Sequence, residues 1–384
     1  MKKIAVITAT RAEYSLLKPV IRELRKHESD LFRVDLIVTG THLYEQYGMT
    51  IDEIDQRVDR RVEISVGSES DEDISVNQAD ALLKFTKVFV EEQYDGLLIL
   101  GDRYEMLAVA IAAGNTRTPI FHMCGGDTTE GALDEWIRHS ITKISYLHFV
   151  TNRDSYNRVV QLGENPSRVF NYGSTSIDNI LELADMSKDD ALESIGLSDC
   201  NYALCTFHPV TMENESIETK LDALLDAIKV FPELQFIVTK SNADKGGVKI
   251  NSLLDEACTR IDNIHVFSSL GARRYLSLMR YADFVIGNSS SGIIETPAFG
   301  IPTINIGDRQ KGRLRTASII DCGETTADIV AAVNKAISSD FIEKSRQVVS
   351  PYGDGNAAGR IADKIFEVIK AGSIDLKKKF YDKK

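Results

Sequence analysis

No apolar run in this 384-residue chain approaches the ~18–20 residues that span a bilayer. A signal-peptide pattern is missing too. Met1-Lys-Lys-Ile-Ala-Val-Ile-Thr begins like one, but Arg11, Glu13 and Lys18 interrupt any apolar h-region. Both absences point to a cytoplasmic protein with no membrane partner. The five cysteines (Cys124, Cys200, Cys205, Cys258 and Cys322) are odd in number and lack metal-type spacing, which fits reduced thiols and not a disulfide framework. The seven histidines form no His-x-x-x-His pair, so no metal is expected. Basic charge is in deficit, and a net charge of −12 argues against a nucleic-acid partner. An anionic small molecule can still bind through local arginines, histidines and helix termini. The basic tail, 377–384, is expected to be a solvated terminus. The first strand runs into Thr8-Ala-Thr-Arg11 with no Gly-x-Gly, and no Walker loop occurs, so no redox or other cofactor is expected.

What is present is an alternation of short apolar runs and helical patterns. Residues 3–8, 34–38, 96–100, 119–123 and 147–151 read as strands, with helices over 14–26, 74–92 and 105–113. Beyond 169–173 the pattern restarts. Strands over 202–207, 234–239, 265–267, 284–287 and 303–306 alternate with helices over 217–231, 253–261 and 273–281. Such alternation signals parallel βαβ construction with both sheet faces covered. The expected fold is α/β, with two successive doubly wound domains over 1–173 and 174–355. A final helix and tail over 356–384 can pack on either, the N-terminal domain included.

Ligands of open α/β sheets bind beyond the carboxyl ends of the strands, and polar residues follow the strands here. Thr8 to Ser15 follows the first strand, Thr39-Gly-Thr-His42 the second and Gly101-Asp102-Arg103 another. His208-Pro-Val-Thr211 and Lys240-Ser-Asn242 do the same in the second half. Two such rims facing one another make an interdomain cleft. The most informative segment is Asp283-Phe-Val-Ile-Gly-Asn-Ser-Ser-Ser-Gly292-Ile-Ile-Glu295. It reads as a strand, a turn bearing three hydroxyls, and a helix with a carboxylate in or just beyond its first turn. A helix N-terminus offers unpaired N–H groups and partial positive charge to a phosphate. Ser289, Ser290 and Ser291 can add hydroxyl donors, or simply cap the helix. Glu295 stands where it can accept from a ribose diol.

Acids gather near Arg and His in the first half. Asp102-Arg103-Tyr104-Glu105 is followed by His122-Met-Cys-Gly-Gly-Asp127 and by Asp134-Glu135-Trp-Ile-Arg138-His139. Carboxyls crowded by like charge or desolvated suit proton transfer. An ion-paired helix start with Arg138 and His139 accounts for Asp134 and Glu135 more plainly. Gly125-Gly126 lets the backbone turn sharply or approach a ligand.

Thr-Arg-Ala-Glu-Tyr-Ser (10–15), Thr-Gly-Thr-His (39–42), Gly-Asp-Arg-Tyr-Glu (101–105) and Gly-Gly-Asp…Asp-Glu-Trp-Ile-Arg-His-Ser-Ile-Thr-Lys (125–143) form an ordered set. Phe-His-Pro-Val-Thr (207–211), Gly-Asn-Ser-Ser-Ser-Gly-Ile-Ile-Glu (287–295) and Ile-Gly-Asp-Arg-Gln-Lys-Gly-Arg (306–313) complete it. Across nearly the whole chain this set resembles the hydrolysing UDP-N-acetylglucosamine 2-epimerases of sialic-acid and nonulosonate biosynthesis (the NeuC type). The resemblance implies a GT-B-like fold, two Rossmann-like domains with a UDP-sugar in the cleft. The catalytic acids would lie in the first domain and UDP binding in the second. It also implies conversion of UDP-GlcNAc to ManNAc and UDP. A base removes the C2 proton, UDP leaves C1 to give a glycal, and water adds with the opposite C2 configuration.

By the same resemblance Ser289 and Ser290 hold the diphosphate with Ser291 a further UDP contact, Glu295 takes the ribose hydroxyls, and Arg11, Arg103 and Arg309 supply positive charge. His208 lies by the diphosphate within reach of the chemistry, and Ser15, His42 and Asn242 are further contacts. Asp102 and Asp134 match catalytic acids, with Asp127 and Glu135 as further candidates. One position departs. Two residues after His122 related enzymes usually carry Glu, but this chain has Cys124, and a thiol differs in pKa and reach. A modified sugar such as UDP-N,N′-diacetylbacillosamine is the alternative substrate. A non-hydrolysing 2-epimerase and a non-catalytic nucleotide-sugar-binding protein are more distant readings. A homo-oligomer, dimer or tetramer, is expected.

Overall fold

A computed structural model describes residues 1–67, 70–129, 133–209, 217–241, 247–372 and 374–382. The chain divides into two compact units. One comprises Met1–Asp127, Leu133–Asp178 and Tyr352–Lys384, the other Thr128–Ala132 and Asn179–Pro351.

The first unit is built on seven strands: β1 (Lys2–Thr8), β2 (Phe32–Thr39), β3 (Arg60–Val62), β4 (Gly96–Leu100), β5 (Ile120–Met123), β6 (Leu147–Val150) and β7 (Val169–Asn171). All pair in parallel, in the order β3-β2-β1-β4-β5-β6-β7. Its helices are α1 (Arg11–Arg25), α2 (Asp71–Glu92), α3 (Tyr104–Asn115), α4 (Asp134–Ile144), α5 (Arg153–Gln161) and the first part of α6 (Thr175–Leu183). The run Ile4-Ala-Val-Ile7 has no polar residue because both faces of β1 are covered. Ile4 and Val6 pack with Leu17, Val20 and Leu24 of α1, while Ala5 and Ile7 pack with Phe85 of α2 and Met106 of α3. The three-residue edge strands β3 and β7 are too short to show a two-residue period, which is why the sequence pattern does not reveal them.

The second unit carries β8 (Tyr202–Thr206), β9 (Gln235–Thr239), β10 (Ile264–Phe267), β11 (Phe284–Gly287), β12 (Thr303–Ile306) and β13 (Ile319–Cys322). They form a parallel sheet in the order β10-β9-β8-β11-β12-β13. Helices α7 (Lys188–Glu193), α8 (Ile217–Ile228), α9 (Gly247–Ala257), α10 (Gly271–Tyr281), α11 (Ser291–Ile294), α12 (Thr296–Phe299), α13 (Thr326–Ala336) and α14 (Ser339–Arg346) accompany it. Ala203 and Cys205 of β8 enter one core, Tyr202 and Leu204 the other. Helix α9 begins six residues before the expected start at 253. Burial of Ile250, Leu254 and Ala257 on one helical face offsets the entropic cost of a glycine at its first position.

The last helix, α15 (Ala357–Ala371), belongs to the first unit. Ile361, Ile365 and Ile369 sit in the core of α1, and each such burial contributes about 1.5–3 kcal/mol. The Asp178 carboxylate accepts the N–H groups of Ala357 (3.2 Å) and Ala358 (2.9 Å), satisfying two orphan donors at the start of α15. The tail is exposed along most of its length, as its charge suggests, but it is fastened to the first unit at one point. Lys378 donates to Glu164 (2.6 Å) and to the carbonyls of Lys143 (2.9 Å) and Ser145 (2.8 Å), and the Phe380 ring lies over Gly163. None of the five cysteines is in a disulfide. No helix among the described residues is long and apolar enough to cross a membrane.

Candidate active site

Strand order reverses between β1 and β4 in the first unit and between β8 and β11 in the second. Such switch points open a crevice beyond the strand ends where ligands of α/β sheets bind. The residues of interest collect at both.

In the first unit Asp102 lies just past β4. The turn carrying it is tied to β5 by His122, whose Nε2–H donates to the Gly101 carbonyl (2.9 Å). Burial pushes the His122 imidazole down to about 3, so it is a neutral strut. Arg138 reaches the same turn from α4. Its side chain is fully buried, yet its guanidinium serves three acceptors: the Asp127 carbonyl (2.8 Å), Glu135 (3.0 Å) and Asp102. Burial alone would lower the pKa of this guanidinium, but the charges of Asp102, Asp127 and Glu135 outweigh it and hold it above its ordinary value. Asp102 and Glu135 keep 29% and 28% of their side-chain surface, so each is anchored on one buried cation while still presenting an edge to solvent. Glu135 also meets His139 Nε2 (3.3 Å), so the ion-paired helix start is real for Glu135. Asp134 opens α4 beside it, partly exposed.

Asp127 does different work from the acid–base role considered for it. It is buried, and one carboxylate oxygen accepts both the Thr151 and Ser155 hydroxyls at 2.6 Å, fastening the loop after β5 to β6 and α5. Gly126 serves the same fastening. Its φ is +78° and a Cβ there would lie 2.3 Å from the Ser155 carbonyl oxygen, so the missing side chain admits the protein's own backbone, not a ligand. His42 departs from the expected ligand contact. Its ring is buried between the hydroxyls of Thr8 (3.1 Å) and Thr50 (2.8 Å), and burial pushes it down to about 4. Arg103 Nε donates to Glu105 (2.9 Å), Ser15 Oγ donates to the Ala12 carbonyl (2.8 Å), and Arg11 is exposed at the first position of α1. Cys124, partly exposed, sits at φ +63° with its N–H donating to the Phe149 carbonyl (2.9 Å).

In the second unit the two loops of the switch point are locked together by Asn288. Its Oδ1 accepts the His208 N–H (2.7 Å) while its Nδ2 donates to the His208 carbonyl (2.8 Å). The Asn288 carbonyl accepts from Arg309 (3.0 Å) and Gln310 (2.9 Å), and His208 Nδ1 stands 3.1 Å from Ser241 Oγ. Gly287 is required here: at φ +135° a Cβ would lie 2.0 Å from the Thr206 carbonyl oxygen. The serines that follow are not a serine cap. Ser290 holds the cap position of α11 in right-handed geometry and makes no side-chain cap bond. Ser289 Oγ accepts the Ser291 N–H at a long 3.4 Å. Glu295 lies between α11 and α12. Desolvation pushes its carboxyl up to about 7, tempered by a hydrogen bond from Ser291. Asn242 lies outside the described residues.

Arg138, His122 and Asn288 organise the two rims, and composition alone did not single them out. The i,i+3 spacing of Glu135 and Arg138 and the lone Asn between Gly287 and the serines were the available signals.

Over residues 22–366 the chain matches the family model described as UDP-N-acetylglucosamine 2-epimerase. It is 39% identical over 346 residues to a Campylobacter jejuni protein described as GDP/UDP-N,N′-diacetylbacillosamine 2-epimerase (hydrolyzing), with 88% of each chain covered. It is 38% identical over 386 residues to the Escherichia coli polysialic acid biosynthesis protein P7, covering 100% of this chain and 98% of that one. Among solved structures, UDP-GlcNAc 2-epimerase from Neisseria meningitidis bound to UDP-GlcNAc superposes with a TM-score of 0.83 at 21% identity, over 96% of this chain and 100% of that one. At that identity the likeness concerns the fold.

Proposed function

This chain belongs to the UDP-N-acetylglucosamine 2-epimerase family, and we propose that it is a hydrolysing 2-epimerase converting UDP-GlcNAc to ManNAc and UDP. The observation that carries the reading is the Asp102–Arg138–Glu135 constellation at the switch point of the first unit. Epimerising C2 requires breaking a C–H bond, so a base must be fixed against it. The electron pair of that bond becomes the C1=C2 double bond as the C1–O bond breaks and its pair departs with UDP. Water then adds its hydroxyl to C1 and a proton returns to C2 on the opposite face. Asp102, oriented by a buried guanidinium, together with Asp134 and Glu135, supplies carboxylates for the proton steps.

The leaving group needs fixed dipoles and positive charge where its negative charge grows. Ser289, Ser290 and Ser291, His208 and Arg309 provide them on the rim of the second unit. The serine hydroxyls are not consumed by capping. Glu295 accepts the ribose hydroxyls, and Arg11 and Arg103 add positive charge on the first unit's rim, with Ser15 as a minor contact. Asn242 is retained on the family resemblance alone.

Two observations favour the same chemistry on UDP-N,N′-diacetylbacillosamine: the Campylobacter relative and Cys124 at a position where Glu is usual. We place the enzyme in the cytoplasm, in nonulosonate biosynthesis, as a homo-oligomer. Val76, Leu83 and Val90, exposed at seven-residue spacing along α2, supply an apolar stripe for a second copy. Light scattering of Leu83→Glu, expected to yield a smaller species, tests that assembly.

The deciding experiment follows each donor by NMR in D2O. Free UDP with ManNAc deuterated at C2 is expected from UDP-GlcNAc. Turnover of the diacetamido donor alone moves the substrate and keeps the mechanism. UDP-ManNAc without free UDP removes the hydrolysing assignment, and silence with both donors leaves only nucleotide-sugar binding.

A further inference from the structure

Two acidic side chains lie out of water beneath the turn that carries Asp102. Glu13 opens α1 just past β1 and is 5% exposed; Glu105 opens α3 just past β4 and is 2% exposed. Strands β1 and β4 are neighbours, so both helices start at the same switch point. One oxygen of each carboxyl has ordinary partners. Glu13 Oε2 accepts the N–H groups of Ala9 (2.8 Å) and Thr10 (3.2 Å), and Glu105 Oε1 accepts from Arg103 Nε (2.9 Å). The other oxygen of each does not. Glu13 Oε1 and Glu105 Oε2 are, among the described residues, the only buried carboxyl oxygens with no hydrogen-bond partner. Glu13 Oε1 also lies 4.0 Å from where a Cβ on Gly101 would stand, directly under the turn.

Two ionised carboxylates in this place would leave two buried acceptors empty and repel one another. One added proton removes one of the two charges and turns an orphan acceptor into a donor. We propose that Glu13 retains a proton at neutral pH and donates it to Glu105, and that this acid–carboxylate pair positions the Arg103 guanidinium and the Asp102 turn. Burial and then the Glu105 charge push the Glu13 carboxyl up to about 8, against the pull of Arg103 and the Ala9 N–H. Asp102, itself paired with Arg138, pushes in the same direction as Glu105, and the Arg103 charge opposes them. Glu13 touches no substrate in this scheme; it acts through its neighbours as a positioning residue. Its consequence for turnover rests on the proposed epimerase reading, whereas the shared proton does not.

Above about pH 8 the pair carries two charges, Arg103 is drawn between them, and the Asp102 turn loosens. Glu13→Gln keeps the essentials at all pH values. Its amide oxygen accepts from Ala9 and Thr10, and its NH2 donates to Glu105.

The test combines infrared difference spectroscopy with a pH profile on the full chain. Spectra are taken in a Glu295→Gln background, since that carboxyl also titrates near 7. The expected result is a protonated-carboxyl band at neutral pH that disappears through about pH 8 and is absent from Glu13→Gln. Glu105→Gln should abolish it too, because its amide can donate to an ionised Glu13. In the presence of UDP-GlcNAc or the diacetamido donor, kcat/KM should fall through about pH 8 in the parent enzyme. Glu13→Gln should turn over at a similar rate without that fall, whereas Glu13→Ala should lose rate at every pH. A band that survives Glu13→Gln, no acid band at neutral pH, or an unchanged alkaline limb in Glu13→Gln overturns the proposal. A band removed by Glu13→Gln in a protein that releases UDP from neither donor upholds the pair and overturns the epimerase reading instead.

Discussion

Arg138 is the residue on which the site of the first unit most depends, and replacing it separates charge from packing. Arg138→Met keeps most of the stem volume but leaves Asp102 and Glu135 without their shared cation. Removing one partner from a buried charge set costs about 3–5 kcal/mol. Both carboxylates keep over a quarter of their side-chain surface, so water can resolvate them and the lower figure, about 3 kcal/mol, applies. For a unit of this size each kcal/mol moves the melting midpoint roughly 2–4 °C, giving a fall of about 6–12 °C. Arg138→Lys restores the charge, but one ammonium cannot replace a planar fork serving three acceptors. Its stability loss should be smaller, about 1–2 kcal/mol. The Asp102 turn would still be misplaced, and an error of 1 Å can cost about 10²-fold in rate. The assays are thermal unfolding, UDP release at saturating donor, and calorimetric titration with UDP. Turnover of Arg138→Lys should fall about 100-fold while UDP affinity stays within about twofold. Wild-type kcat in Arg138→Lys, or a melting midpoint for Arg138→Met within a degree or two of wild type, refutes the reasoning.

Three further outcomes follow from the geometry. Ser289→Ala or Ser290→Ala should weaken UDP binding about 10–100-fold by calorimetry, the loss of one hydrogen bond to a charged group, and Ser290→Ala should leave unfolding unchanged because Ser290 makes no side-chain cap bond. UDP affinity should tighten as pH rises through about 7, since the ionised Glu295 is the better acceptor for ribose hydroxyls, and Glu295→Gln should flatten that dependence relative to wild type. For Glu164, burial alone would raise the carboxyl, but hydrogen bonds from His148, Lys143 and Lys378 outweigh it and hold it at about 2. A folded value below the unfolded one contributes stability that is full above about 4.5 and lost as pH falls through about 2, so Lys378→Met should move acid unfolding to higher pH.

Much of this was legible before the structure. The strands that β1, β4, β8 and β11 became are apolar runs buried on both faces, and their strength as signals comes from that double burial. The positions of Asp102, His208 and the 289–291 serines beyond strand ends also followed from the pattern. What could not be read is which polar residues face each other. Asp127 and Asp102 look alike in sequence, yet one is spent on the hydroxyls of Thr151 and Ser155 and the other is presented by Arg138. His42 resembled a ligand contact because it follows a strand, but the two threonine hydroxyls that occupy it come from β1 and from residue 50. The anchoring of the otherwise exposed tail through Lys378 escapes the pattern for a related reason. Its lysines suggested solvent, and only the buried Glu164 on a distant segment gave one of them a partner. Long-range pairings of this kind leave no periodic trace in the chain.

Cys124 is where the resemblance and the structure bear on one question, namely which groups move the protons. The residue follows His122 on a strand that ends beside the Asp102 turn, and its backbone is pinned to β6 at a left-handed φ. A side chain on that backbone points where the local turn dictates, so the usual Glu and this Cys begin from one place, but a carboxyethyl arm reaches farther than a thiomethyl one. If a thiol performed the step, Cys124→Ala should cost about 10²–10⁴-fold in kcat, the worth of a positioned acid or base. We expect less than about tenfold, because Asp102, Asp134 and Glu135 already gather at the same rim. Deuterium uptake at C2 in the Cys124→Ala product is the sharper readout. Normal uptake with near-normal rate leaves the carboxylates in charge, and a large loss of rate with substrate binding intact brings the thiol into the chemistry. Cys124→Glu then probes specificity: a gain on UDP-GlcNAc over the diacetamido donor would mean that the shorter side chain makes room for the second acetamido group.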